Sequence, residues 1–488
     1  MAHSDRLTAL DAGFLHLERG GAHMHVASIL VFVGDPPGYD ELVGALDARL
    51  HLVPRYRQKL AHVPLGQGRP VWVDDPHFNV RYHVRHSALP EPGSDEQLKR
   101  LAARQFARPL DRTKPLWELS LVEGLEGATR FAIVAKTHHA LVDGVSGVDV
   151  TSVLFDTAPD PTPPAREPRR WVPRPEPADA ELLAQALLER ATVPAEAARN
   201  LRALTRAPRR ALAEAGERLV GLGAMAWAGM RPAPPTPFNV PIGPHRRYTW
   251  VDADLPRFKA IKDALGGTLN DAVLAAVALA LGRFLRRRGE PTDGVVLKAM
   301  VPVSVRADAE RGALGNRVAA MWAPLPVAER DPQAVFAEVS EAMRGLKESG
   351  QAVGAVALTS LADFAPPTIL SQAARLQARQ RLFNLVVTNV PGPQVPLYLL
   401  GRRLERFYPV VPLARNQALG IAIMSYDGRL GFGLLGDYDA MPDLEALAHD
   451  LERAIADLER AAGVAGRGST RAAGRSSTPP RRAPAGGR

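Results

Sequence analysis

The chain has 488 residues, no cysteine and a formal net charge of +9. That length exceeds the usual size of one hydrophobic core and points to two packed domains, while the absence of thiols excludes disulfides, thiolate nucleophiles and thiolate metal sites and suits a cytosolic protein. Residues 464–488 carry a net +6 and residues 158–237 a net +3, leaving the rest neutral, so the basic segments point to anionic surfaces and nucleic acid is not an expected partner.

Met1 to Leu10 is charged and lacks a sustained apolar stretch, so it does not read as a secretory signal. Ala27–Val33 reads as an apolar strand, Tyr39–Leu50 as a short helix and Leu119–Val122 as a second strand. Pro115-Leu116-Trp117 precedes that second strand, and a tryptophan there is most simply core packing. Phe131–Thr137 is a buried strand running into His138-His139, after which Asp143-Gly144 turns the chain and Ser146-Gly147 opens a helix, Val148 to Phe155. These elements make a first domain, residues 1–157.

Ala158 to Pro177 is thick with proline and arginine and can sustain neither helix nor central strand. Between Ala180 and Met230 apolar positions recur at helical spacing (Leu201, Leu204, Leu212, Ala215, Leu219, Leu222), punctuated by Arg199, Arg202, Arg206, Arg209 and Arg210. With Met225, Trp227 and Met230 following, this connector fits either a helix lying in a lipid interface or a crossover pair packed on the domains. Together these stretches form a linker and connector, residues 158–237. The second domain, residues 238–463, has expected strands at Val295–Val301, Leu382–Thr388, Gly420–Ser425 and Leu430–Gly436 and expected helices at Thr268–Arg288 and Pro332–Lys347. Asn389 to Pro393 has the composition of a tight turn after a strand. The longest apolar run, Ala272 to Leu281, is half of the roughly twenty residues needed to cross a bilayer. The glycine-, serine- and arginine-rich tail, residues 464–488, is expected to be disordered.

The sharpest chemical feature is the histidine pair. Side chains alternate along a strand, so His138 and His139 are expected to point to opposite sides, with one of them facing a given cavity. An imidazole titrates near neutral pH and can take a proton from an attacking hydroxyl; with a thioester as donor no serine nucleophile is needed, because the imidazolium can return the proton to the leaving thiolate. Three other readings stay open from the residues alone: satisfied core histidines, a metal site using His139 and Asp143, or a triad completed elsewhere. Gly144 and the preceding strand disfavour the metal geometry, and no H-E-x-x-H is present. Thr268 and Asp271 have the form of a capping box, which accounts for Asp271, while Asn270 at the helix start could donate to a developing oxyanion. His23, His25, His83 and His86 show no ligand spacing, and surface or packing roles suffice for them.

His138-His139-Ala140-Leu141-Val142-Asp143-Gly144 resembles the HHxxxDG signature of coenzyme A-dependent acyltransferases, shared by chloramphenicol acetyltransferases, plant alcohol acyltransferases and condensation domains. The opening segment Leu7 to Leu15 with Glu18, the PLW at Pro115-Leu116-Trp117, the ND at Asn270-Asp271, Val301 to Arg306, Gly315-Asn316, Leu325-Pro326 and Thr388 to Pro393 narrow the likeness to the wax ester synthase/diacylglycerol acyltransferase family. The resemblance spans residues 5 to 460. It implies an α/β fold of two chloramphenicol-acetyltransferase-like domains, mixed sheets with flanking helices, forming a tunnel at their interface. It implies His139 as general base without an acyl-enzyme, with Asp143 and Gly144 shaping the loop and Arg306 as a candidate partner for Asp143. Glu18, Pro115, Leu116, Trp117 and Asn389 are expected to line or support the tunnel. The implied substrates are long-chain acyl-coenzyme A, a co-substrate and not a resident cofactor, and a diacylglycerol or fatty alcohol acceptor; neither metal nor cofactor is implied. The expected location is cytoplasmic, with peripheral attachment to the inner face of the plasma membrane or to lipid droplets. A carrier-bound acyl donor, or an inactive lipid-binding paralogue, are the rival readings.

Overall fold

Two six-stranded mixed sheets organise the chain. The computed structural model describes residues 6–18, 20–142, 154–160, 171–188, 232–304, 318–348 and 381–464. In spatial order the first sheet runs β11 (Tyr398–Leu399), β12 (Arg402–Val410), β1 (His25–Val33), β6 (Arg130–His138), β5 (Trp117–Leu125) and β4 (Val84–Ala88). The second runs β7 (Arg246–Asp254), β14 (Arg429–Asp437), β13 (Leu419–Tyr426), β10 (Leu385–Pro391), β8 (Val296–Ser304) and β9 (Val318–Pro326), with β2 (Gln58–Ala61) and β3 (Val71–Asp74) as a separate pair. Described helices of the first half are α1 (Ala9–Leu17), α2 (Tyr39–Arg49), α3 (Val80–His83), α4 (Asp95–Phe106) and α5 (His139–Val142); those of the second are α6 (Leu255–Leu265), α7 (Leu269–Arg287), α8 (Pro332–Glu348) and α9 (Leu444–Ala461). This is the mixed α/β, two-part architecture that the resemblance implies.

Period-two patterning explains how β6 comes to sit at the centre. Phe131 and Ile133 enter the core shared with Leu30, Phe32 and Trp117, while Ala132 and Val134 enter the core shared with Ile29, Val31, Tyr248, Trp250 and Leu435. A strand apolar on both faces must be covered on both, and this one is. The second core includes residues of both sheets, so one face of the first sheet is closed by the second half. In that half, α7 is buried continuously from Asp271 to Gly282 and packs within the core. The apolar run Ala272 to Leu281 is therefore a core helix. Among the described residues no single helix is long and apolar enough to cross a membrane.

Two differences from the sequence reading fall on expected site residues. Trp117 begins β5 instead of preceding it. Asn389 to Pro391, expected as a turn, continue β10 in parallel register with Ile423 to Ser425. The reason is local: β8 pairs with β10 only at Leu385 and Val386, so the later residues are bonded on one side only and the missing N–H of Pro391 is tolerated.

Residues 398–410 lie late in the chain yet complete the first sheet, β12 pairing antiparallel with β1 from Ala27–Val410 to Phe32–Leu404. This exchange brings the sheets together at backbone distance. A Cβ on Gly431 would stand 2.1 Å from the Phe407 carbonyl oxygen, and one on Gly433 1.9 Å from that of Pro409. Gly433→Ala is therefore expected to lower stability by about 1–3 kcal/mol through overpacking, measured by denaturant unfolding, whereas Gly44→Ala on the exposed face of α2, where a Cβ meets open space, should show no such loss.

Candidate active site

Backbone pairing places the two histidines before their side chains are considered. The His138 N–H donates to the Leu116 carbonyl at 2.9 Å, and the His139 N–H donates to the Met24 carbonyl at 2.8 Å. The dipeptide is thus held from both flanks, just where β6 ends and α5 begins. Pro115, Leu116 and Trp117, expected to support a tunnel, act here on the strand itself. Trp117 is fully buried, its Nε1–H donates to the Tyr56 carbonyl at 2.8 Å, and its ring stacks on His83 at 4.5 Å. His83 is accordingly a packing residue, its Nδ1 lying 2.8 Å from the Trp117 carbonyl.

The two rings meet different surroundings. His138 is 1% exposed, and its Nδ1 accepts from the Ala140 N–H at 3.0 Å. That acceptance leaves its ring proton on Nε2, 3.3 Å from Glu18 Oε1. The same carboxylate oxygen accepts from the Met24 N–H at 2.7 Å and lies 3.5 Å from His25 Nε2, while Oε2 pairs with Arg112. Burial pushes the Glu18 carboxyl up, but its contacts with His138, Arg112 and His25 outweigh this and hold it well below the ordinary carboxylate range. Glu18 is therefore an anion paired with Arg112 that lies beside two buried imidazoles.

Among the described residues no carboxylate pairs with His139. Its ring stacks on Phe14 at 3.9 Å and remains partly exposed. Burial is the main cause that lowers its pKa to about 4; its own backbone pulls the other way and His138 adds to the lowering. At neutral pH it is an uncharged imidazole able to accept a proton. Phe14 and Glu18 are four residues apart at the end of α1, so one helical face supplies both the ring against His139 and the carboxylate beside His138. Thr8 starts that helix by accepting from the Asp11 N–H at 3.1 Å.

Other sequence-predicted residues lie elsewhere. Asp271 closes the expected capping box, its Oδ2 accepting from the Thr268 N–H at 2.8 Å and from Ser340 Oγ at 3.1 Å, which ties α7 to α8. Asn270 occupies the first turn of α7 and is partly exposed; Asn389 is paired within β10. Asp143, Gly144 and Arg306 lie outside the described residues, as does the connector 196–230. His25, for which a surface or packing role was expected, is buried as the cross-strand partner of His138, with Nε2 3.5 Å from Glu18. His23, just before β1, stacks its ring on that of His25, and only the register of β1 against β6 reveals what His25 meets. Arg112 was missed altogether because nothing local in the sequence marks it. Among the described residues no three His, Cys, Asp or Glu side chains are grouped to hold a metal ion.

Comparison with known proteins matches residues 7–273 to the wax ester synthase/diacylglycerol acyltransferase catalytic domain and residues 314–459 to the C-terminal domain of the same family. A Mycobacterium tuberculosis protein named for diacylglycerol O-acyltransferase activity is 33% identical over 466 residues, covering 94% of this chain and 90% of that protein. A second from the same species, a probable diacylglycerol O-acyltransferase, is 36% identical over 471 residues, covering 94% and 100%. The solved wax ester synthase/diacylglycerol acyltransferase from Marinobacter aquaeolei VT8 aligns with a TM-score of 0.64 at 29% identity over 94% of this chain and all of that one. A starter condensation domain of rhizomide synthetase shares the fold, with a TM-score of 0.56 at 15% identity over 95% and 97% of the two chains.

Because the folded-state pKa of Glu18 is depressed, its stabilising contribution is complete above the ordinary value of 4.5 and declines as pH falls below it. Glu18→Gln should therefore melt at a lower temperature than the parent at pH 7, with the gap narrowing below pH 4.5. A gap that stays constant on acidification would show that the carboxylate's charge is not what matters.

Proposed function

The chain belongs to the wax ester synthase/diacylglycerol acyltransferase family, and from that premise we propose that it transfers a long-chain fatty acyl group from coenzyme A to the free hydroxyl of diacylglycerol, giving triacylglycerol, with long-chain fatty alcohols as a second class of acceptor giving wax esters. The observation that carries the reading is the environment of His139: an uncharged imidazole, partly open, at the end of a strand whose backbone is held on both sides.

In this mechanism His139 removes the hydroxyl proton as the alcohol oxygen attacks the thioester carbonyl. The tetrahedral intermediate collapses, the C–S bond breaks, and the imidazolium returns its proton to the thiolate, so that ester and free coenzyme A leave with no covalent enzyme intermediate. At ambient pH the His139 imidazole is already in its proton-accepting form. His138, Glu18 and Arg112 serve as supports. Asn270 is the proposed oxyanion donor, and Asp143 with Arg306 is assigned to shaping the loop. The names of the mycobacterial relatives favour diacylglycerol as principal acceptor. No metal or resident cofactor enters the scheme.

His139→Ala should lower turnover by about 10²–10⁴-fold in an assay of the purified protein with palmitoyl-coenzyme A and competing diacylglycerol and hexadecanol, and the triacylglycerol to wax ester ratio names the preferred acceptor. Unchanged turnover would refute the base assignment and favour a lipid-binding protein with a relict site. Activity confined to a carrier-bound donor would identify a condensation-type enzyme.

The apolar and arginine-bearing connector is proposed to hold the enzyme at an anionic membrane or droplet surface, on the cytoplasmic side. Deleting residues 196–230 should move the protein from the membrane fraction to the supernatant, and an unchanged distribution would remove the connector from that role.

A further inference from the structure

The short segment entering β1 does more than its composition suggests. Met24 donates its N–H to Glu18 and accepts from the His139 N–H, and His25 lies against the same carboxylate. Three residues earlier, the Gly21 carbonyl accepts from the Arg246 guanidinium, which belongs to the first residue of β7 in the second half. Arg246 is 7% exposed, and its Nη1 also donates to the carbonyls of Gly243 at 2.7 Å and His245 at 2.8 Å. It lies 3.7 Å from Asp437, its cross-strand partner in β14. Asp437 is itself held by the N–H groups of Gly243, Asp439 and Ala440.

Contact between the halves is close at this point. A Cβ on Gly21 would stand 2.1 Å from the Gly243 carbonyl oxygen, so only glycine lets the two backbones meet. His23, His25 and Arg246 line one cavity with Ala27, Phe106 and Leu435, which places the cation beside the histidine-bearing face of β1.

We infer that Arg246 is a positioning residue for the acyl transfer: by gripping the Gly21 carbonyl from the second half, it fixes the segment whose Met24 carbonyl anchors His139 and whose Met24 N–H anchors Glu18. The inference rests on the reading of His139 as base and extends it to how the base is held. A fixed geometry matters because a displacement of about 1 Å at a reacting group can cost roughly a hundredfold in rate. Arginine suits the task because its rigid fork reaches to two sides at once, Nη1 to Gly243 and His245 and Nη2 to Gly21, whereas a lysine offers its donors from a single point.

Steady-state kinetics of the full chain with palmitoyl-coenzyme A and diacylglycerol, alongside thermal unfolding, provide the test. Arg246→Met should lower kcat by roughly ten- to a hundredfold while leaving KM for palmitoyl-coenzyme A within about twofold, and Arg246→Lys should recover part of that loss. Gly21→Ala disturbs the same contact from the other side without touching the cation and should lower kcat alike; if either variant fails to fold, the other and Arg246→Lys carry the test. The double variant should be no slower than the worse single one, since both break one contact. Folded Arg246→Met with parental kcat, a change in KM alone, or losses that multiply in the double variant would each overturn the inference. His139→Ala measured in parallel separates the two ideas. Parental activity there refutes the base assignment itself, whereas its loss beside a fully active Arg246→Met refutes only the positioning role.

Discussion

The antiparallel pairing of β6 between β1 and β5 is the constraint on which the site depends. Both flanks of the strand are hydrogen-bonded along its length, and the last two bonds, from the N–H groups of His138 and His139, reach Leu116 and Met24. A base mounted on a loop would pay the entropy of ordering at each turnover, whereas one mounted where a central strand stops has been ordered by folding itself. The apolar residues on both faces of β6 supply the burial that holds the strand, so packing and chemistry share one element.

Neighbouring histidines then receive opposite environments. His138 is enclosed beside Glu18, with Arg112 and His25 on the same carboxylate. His139 stands against the Phe14 ring, and burial keeps it neutral. Among the described residues the Glu18 carboxylate serves the supporting histidine, whereas in a catalytic triad an acid orients the imidazole that moves the proton. Burial keeps the His139 imidazole in its accepting form at neutral pH, at some loss of basic strength.

Much of the fold was legible because it is written locally. The apolar strand ending in two histidines, the capping box at Thr268 and Asp271, and the amphipathic helix from Pro332 all follow from patterns within a few residues. Glu18 was recognised only as part of a family-like opening, since its partner His138 lies 120 residues away and no local pattern joins them. His25 was dismissed because its significance arises from register: one residue of slip would have put it on the other face of the sheet. Asn389 was misread for a different reason. Proline and glycine after it signal a turn, but a strand bonded on one side can carry proline, and that one-sidedness is a property of the whole sheet. Arg246 carries no motif, and its reach to Gly21 follows only from the assembled halves.

The central claim is that His139 is a neutral imidazole in the resting enzyme, ready to accept the hydroxyl proton. Nitrogen NMR of the full chain with labelled histidine, with the His139 resonance assigned by its loss in His139→Gln, measures this directly as pH is lowered. A midpoint near 4, with the ring uncharged at pH 6, is the expected result. A midpoint at or above 6.5, the ordinary value for histidine, would contradict it.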